Sequence, residues 1–131
     1  MPTLDRLSAD HFRQTVVTFR DTMKAHAAGI NRLNVYPVPD GDTGTNMART
    51  LDAVVEEMEK SAPILEDTCK AISHGSLMGA RGNSGVILSQ ILRGLSGTLA
   101  TAKDVGGTKV AEALKAASAA AYEAVLKPIE G

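Results

Sequence analysis

79-GARGNSGVILSQILRGL-95 decides the fold class of this chain. Gly79 to Gly85 form a glycine-rich turn, and Val86, Ile87, Leu88, Ile91, Leu92 and Leu95 follow at once. A segment so nearly apolar on all sides reads as a buried helix. A Rossmann site would need GxGxxG after a strand, and a Walker A loop would need Gly-Lys-Ser/Thr after its glycines. This stretch has no such strand before it and no lysine in it, so the turn opens a helix inside a helical protein.

Working outward, helical periods dominate and strand alternation is nearly absent. Upstream, Ile64 to about Met78 reads as a helix interrupted near His74-Gly75. Before it, Met47, Leu51, Val54, Val55 and Met58 recur at helical spacing until Ser61-Ala62-Pro63 stops them. The first segment places Phe12, Val16, Phe19, Met23, Ala27 and Ile30 on one stripe, with Ser8 positioned as its cap. Downstream, Gly94 to Gly107 is of low complexity and reads as a loop with at most a short helix. Val110 to Leu126 has apolar positions at 110, 114, 117, 121 and 125, and its alanines suit close helix contact. The expectation is an all-α bundle, one domain over residues 1–131, with two special loops.

With 131 residues the chain buries roughly two-thirds of the surface its unfolded form exposes, enough for a core without staples. Fourteen Lys and Arg against fifteen Asp and Glu leave a net charge of −1, so no overall basic field recruits nucleic acid or an anionic membrane. The lone Cys69 has no intrachain disulfide partner, and MPTLDRLSADHF lacks the apolar run of a signal peptide. No segment approaches the length of a membrane span. These features predict a soluble protein of a reducing cytoplasm.

The second special loop is 34-NVYPVPDGDTGTNMA-48. Pro37 and Pro39 stiffen the approach, and Gly41 and Gly44 permit turns and close contact with a ligand. Both loops lead into helix N-termini, where unpaired N–H groups and the dipole attract phosphate. Asp40 and Asp42 would repel a bare anion there. A cation between carboxylates and phosphates removes the conflict, and Mg²⁺ is held in this way, by one or two carboxylates plus phosphate oxygens and water. Asn34 could add a neutral oxygen or hold a water of that shell. Gly79, Gly82, Asn83, Ser84 and Gly85 would then meet the phosphates from the other loop. On charge and position, Arg81 is the candidate cation for a transferring phosphoryl group.

Rival readings fit less well. An EF-hand loop starting at Asp40 would need an oxygen ligand, glycine and glutamate where Gly44, Thr45 and Leu51 stand. Asp-Gly-Asp alone is usually a turn and GARGNSG alone a helix cap or a packing device; their pairing at two helix starts is what points to a site. His11, His26 and His74 lack partners at ligand spacing and are assigned to the surface or to helix packing. Cys69 reads as a small buried hydrophobe, Arg93 as an ion-pair partner, and Met23, Met47, Met58 and Met78 as core fillers. Met47 and Met78 lie near enough to the motifs to touch an adenine.

NVYPVPDGDTGTNM and SLMGARGNSGVILSQILRG resemble the nucleotide-binding domain of the fatty acid kinase catalytic subunit, itself similar to the ATP-binding DhaL subunit of dihydroxyacetone kinases. The resemblance runs from the first helix to the last residue. It implies an antiparallel barrel of eight helices with ATP or ADP and two Mg²⁺ ions at one end. In the dihydroxyacetone branch three aspartates hold the metals. The latter two match Asp40 and Asp42, while the first falls nearest Asn34, one residue farther upstream. The nucleotide contacts map onto Thr43, Gly44, Thr45 and Asn46 and onto Asn83 and Ser84, whereas Arg81 has no counterpart with a known catalytic role. Such domains run to roughly 200 residues, so this chain would carry about five of the helices and lack a downstream Asp-Xaa-Gly-type loop. The implied activity is phosphoryl transfer from ATP to a fatty acid carboxylate presented by a DegV-like lipid-binding partner. A dihydroxyacetone-type kinase subunit and a non-catalytic nucleotide-binding or docking module are the alternatives, and a homodimer is left open.

Overall fold

A computed structural model of the chain describes residues 6–33, 41–102 and 105–126. Five helices follow one another: α1 (Ala9–Leu33), α2 (Thr43–Lys60), α3 (Leu65–Gly79), α4 (Gly82–Ala100) and α5 (Gly107–Leu126). The described residues contain no strand. Each helix packs on the next, and α2 also touches α4.

Ser8 begins α1 as its spacing predicts, its Oγ accepting the His11 N–H at 3.1 Å. That bond satisfies one of the amides a helix start leaves without an intrahelical partner. The core is centred on α2, whose Leu51, Val54, Val55 and Met58 are all at most 1% exposed. Phe12 and Val16 of α1, Cys69 and Ile72 of α3, and Leu88, Leu92 and Leu99 of α4 close around them. Burial raises the Cys69 thiol to about 11, which keeps it protonated and inert at neutral pH, as a small hydrophobe should be.

The structure departs from the sequence reading in several places. α3 passes through His74-Gly75 without a break. A Cβ at Gly75 would lie 3.0 Å from the Ala53 carbonyl oxygen and 3.1 Å from the Val54 Cα, so the glycine sets the contact with α2 instead of weakening the helix. α4 likewise continues through Gly94 to Ala100, because Gly94 lies against the Ala116 and Ala117 backbone of α5. In α5 the buried positions are Ala113 and Ala117, while Leu114 and Val125 are exposed. Met78 is 67% exposed and fills no core, whereas Met58 is buried and Met23 and Met47 pack against its edge.

The hydrogen bonds fix the direction of packing. Asn31 near the end of α1 binds Thr45 at the start of α2, so these two helices are antiparallel. Ser84 at the start of α4 reaches Thr43 at the start of α2, so the N-termini of α2 and α4 share one end of the bundle. No described helix is long and apolar enough to cross a membrane.

Candidate functional site

The site end is built from two helix starts. At α2, Gly41 has φ +65°, a left-handed conformation suited to glycine, and it turns the chain into the helix. Asp42 follows as the exposed N-cap residue, yet its side chain does not cap the helix. An aspartate there would ordinarily accept an amide of the first turn. Asn31 of α1 takes that part: its Oδ1 accepts the Thr45 N–H at 3.1 Å, and its Nδ2 donates to Thr45 Oγ1 at 2.8 Å. The carboxylate is therefore not needed as a cap. Gly44 lies so close to the Ala27 backbone that a side chain there would collide with the Ala27 carbonyl oxygen.

At α4, Arg81 is the N-cap and Gly82, with φ +66°, is the first helical residue. The Arg81 N–H donates to Thr50 Oγ1 at 3.1 Å, and that hydroxyl donates in turn to the Asn46 carbonyl at 2.8 Å. Ser84 Oγ donates to the Thr43 carbonyl at 3.4 Å. The glycines that look like a phosphate loop are also packing glycines. Gly82 abuts the Asn46 side chain, Gly85 the Thr50 hydroxyl, and Gly79 the Ala53 methyl. Residues 46, 50 and 53 form one stripe of α2, so the whole turn lies on that stripe at a separation no larger residue would allow.

Of the residues predicted for the site, the structure brings together Asp42, Thr43, Gly44, Thr45, Asn46, Arg81, Asn83 and Ser84. Asn83 and Arg81 are exposed, and Ser84 is half-buried. Among the described residues, the Arg81 guanidinium donates to its neighbour's carbonyl, Ala80 O, at 3.2 Å. Asn34 and Asp40 lie outside the described residues, and among the described residues no three His, Cys, Asp or Glu side chains cluster as a metal group. Helix geometry leaves the amides of Thr43 and Gly44, and of Gly82, Asn83 and Ser84, without intrahelical acceptors. The two positive dipole ends add at this point. Such a surface fits an anion, and Asp42 at its rim fits a cation accompanying that anion. The sequence reading missed Asn31 and Thr50. A lone polar residue within a helical period gives no sign of which neighbouring helix it will meet.

A family model described as the DAK2 domain matches residues 37–131, a span that covers the glycine-rich turn and the other motif from Pro37 onward. The chain belongs to the DAK2 domain family. DAK2 domains are associated with dihydroxyacetone-kinase-like nucleotide-binding subunits. This DAK2 domain is 42% identical over 129 residues to an uncharacterized protein of Staphylococcus saprophyticus, covering 98% of this chain and 23% of the relative. It is 43% identical over 121 residues to the protein YloV of Bacillus subtilis, covering 92% of this chain and 22% of YloV. An uncharacterized protein of Staphylococcus aureus is 40% identical over 129 residues, with 98% of this chain and 24% of the relative covered. The chain thus spans less than a quarter of the length of the curated relatives it matches.

Proposed function

We propose that this DAK2 domain binds Mg–ATP across the N-termini of α2 and α4 and serves phosphoryl transfer to a fatty acid carboxylate, giving an acyl phosphate. The fatty acid would be presented by a separate lipid-binding protein of the DegV type. The observation that carries the nucleotide part is the Ser84–Thr43 contact, which sets two amide-rich helix starts side by side. The acceptor rests on the wording of 37-PVPDGDTG-44, which resembles the fatty acid kinase motif.

The roles of the chain's own residues follow from their chemistry. Backbone amides of Thr43, Gly44, Asn83 and Ser84, with the Asn46 side chain, would hold and orient the phosphates. Asp42, with Asp40 and Asn34, would hold Mg²⁺, which when bound neutralises charge on the phosphates. The Thr45 amide is engaged by Asn31, so Thr45 would contribute through its hydroxyl hydrogen. Arg81, whose side chain reaches into solvent at the same rim, is suited to the charge developing on the transferred group. Positioning and electrostatics carry such a reaction, so the geometry of the two helix starts is its main requirement. The DAK2 match favours a second acceptor, a dihydroxyacetone-type substrate.

Asp42→Asn in the full chain tests the metal reading. Mg²⁺-dependent ADP binding should be lost while helical content stays near that of the parent, since the Asp42 side chain makes no capping hydrogen bond to α2. Equal calorimetric affinity for ADP in variant and parent, with Mg²⁺ present, would sink it. Turnover of fatty acid plus its carrier against dihydroxyacetone separates the two acceptors.

A further inference from the structure

Thr50 belongs to neither motif, yet it touches both. Its side chain is fully buried at the third turn of α2. The Arg81 N–H donates to it, and it donates to the Asn46 carbonyl, so two hydrogen bonds run from the α3–α4 turn to the first turns of α2. Gly85 lies against the same hydroxyl, where a Cβ would approach to 2.5 Å. The α3–α4 turn is therefore registered on α2 at a point one helical turn beyond Asn46. An ordinary buried helical threonine bonds only to the carbonyl four residues back. Here the oxygen's acceptor capacity is used as well, on an amide of another segment.

We propose that Thr50 is a positioning residue for the nucleotide site: its hydroxyl sets the relation between the α4 start and the α2 start, and so the spacing of the two sets of amides that meet the phosphates. This rests on the nucleotide reading above and adds a residue that touches no ligand. Amides aimed at one anion lose their advantage when one set shifts by a fraction of an ångström, because hydrogen-bond strength falls steeply with distance and angle. A solely structural Thr50 would affect melting and leave affinity alone.

Thr50→Ser and Thr50→Ala in the full chain make the decisive pair. Both lose the methyl group and differ in the hydroxyl alone. Mg–ADP affinity, melting temperature and hydrogen exchange at the Arg81 amide are measured on each, with Thr50→Val as a third variant that keeps the volume. The expected result is near-parental affinity and a protected Arg81 amide in Thr50→Ser. Thr50→Ala and Thr50→Val should lose affinity by about tenfold or more and expose that amide. Equal affinity in the serine and alanine variants, with a parent that binds, overturns the positioning role and leaves the nucleotide reading standing. A parent that binds no Mg–ADP overturns the nucleotide reading and the positioning role with it, whether or not the Arg81 amide depends on the hydroxyl. Affinity that tracks melting alone across the three variants, with no change at Arg81, also overturns it.

Discussion

The two ends of the bundle are stitched in different ways. At the end opposite the site, Arg13 of α1 donates from one nitrogen to Ser61 Oγ at 3.0 Å and to Thr68 Oγ1 at 2.9 Å, tying α1 to the α2–α3 connection. Ser61 Oγ passes the link on to the Met58 carbonyl at 2.7 Å. One charged side chain thus closes this end over a buried and a half-buried hydroxyl. At the site end the links come from small neutral groups, Asn31, Thr50 and Ser84, and the helices approach through Gly44, Gly79, Gly82 and Gly85. Glycine contacts bring backbones together where larger side chains would hold them apart. One end is therefore closed by a charged side chain, and the other is drawn together by glycines and small neutral groups.

That contrast can be broken at its tightest point first. Gly44→Ala should destabilise the fold by about 3 kcal/mol, since the new Cβ would collide with the Ala27 carbonyl and neither partner is a flexible side chain. Urea unfolding reads the loss, and a change within experimental error would show that the site end is looser than described. Arg13→Ala should cost about 1–2 kcal/mol of stability, because the fully buried Thr68 hydroxyl loses its charged donor. Mg–ADP affinity should be unchanged in that variant, and a matching loss of affinity would mean that the two ends are not independent.

The smallest effect concerns Cys69, which lies in the core between them. Its thiol ionises at 9.0 when unperturbed and at about 11 in the folded chain, because burial disfavours the thiolate. Between those values the unfolded state binds fewer protons than the native state, so stability should fall as pH rises from 9 to 11, by less than about 1 kcal/mol at pH 9.5. Chemical denaturation across that window should show the slope in the parent and not in Cys69→Ala. Persistence of the slope in the variant would assign it to other groups.

Much of the helical order was legible because burial imposes its own period on a sequence. Phe12 and Val16, and Leu51, Val54, Val55 and Met58, repeat at the spacing of one helix face and are buried in the structure. Ser8 is equally local, since a cap needs only its own first turn. The glycines at 75 and 94 misled the reading because propensity treats glycine as a helix weakener. Here the lost propensity is offset by contact with α2 and α5, which no local window contains. Phe19 shows the opposite failure: it keeps the period but is 38% exposed, because no described helix covers that part of α1.

The sequence by itself determined the all-helical class, the positions of the helix starts and the two motifs, since periodicity, caps and turn residues act within a few neighbours along the chain. It also placed Asp42, Thr43 to Asn46, Asn83 and Ser84 at helix N-termini, where backbone amides are available by construction. Only the tertiary structure decided that those two starts share one end. Only it replaced Asp42 as a cap with Asn31, and used Thr50 to register one loop on the other. The physical reason is that hydrogen bonds between helices depend on packing angle and register. Those are fixed by the sum of many core contacts and by where glycine lets two backbones meet, and no single segment encodes them.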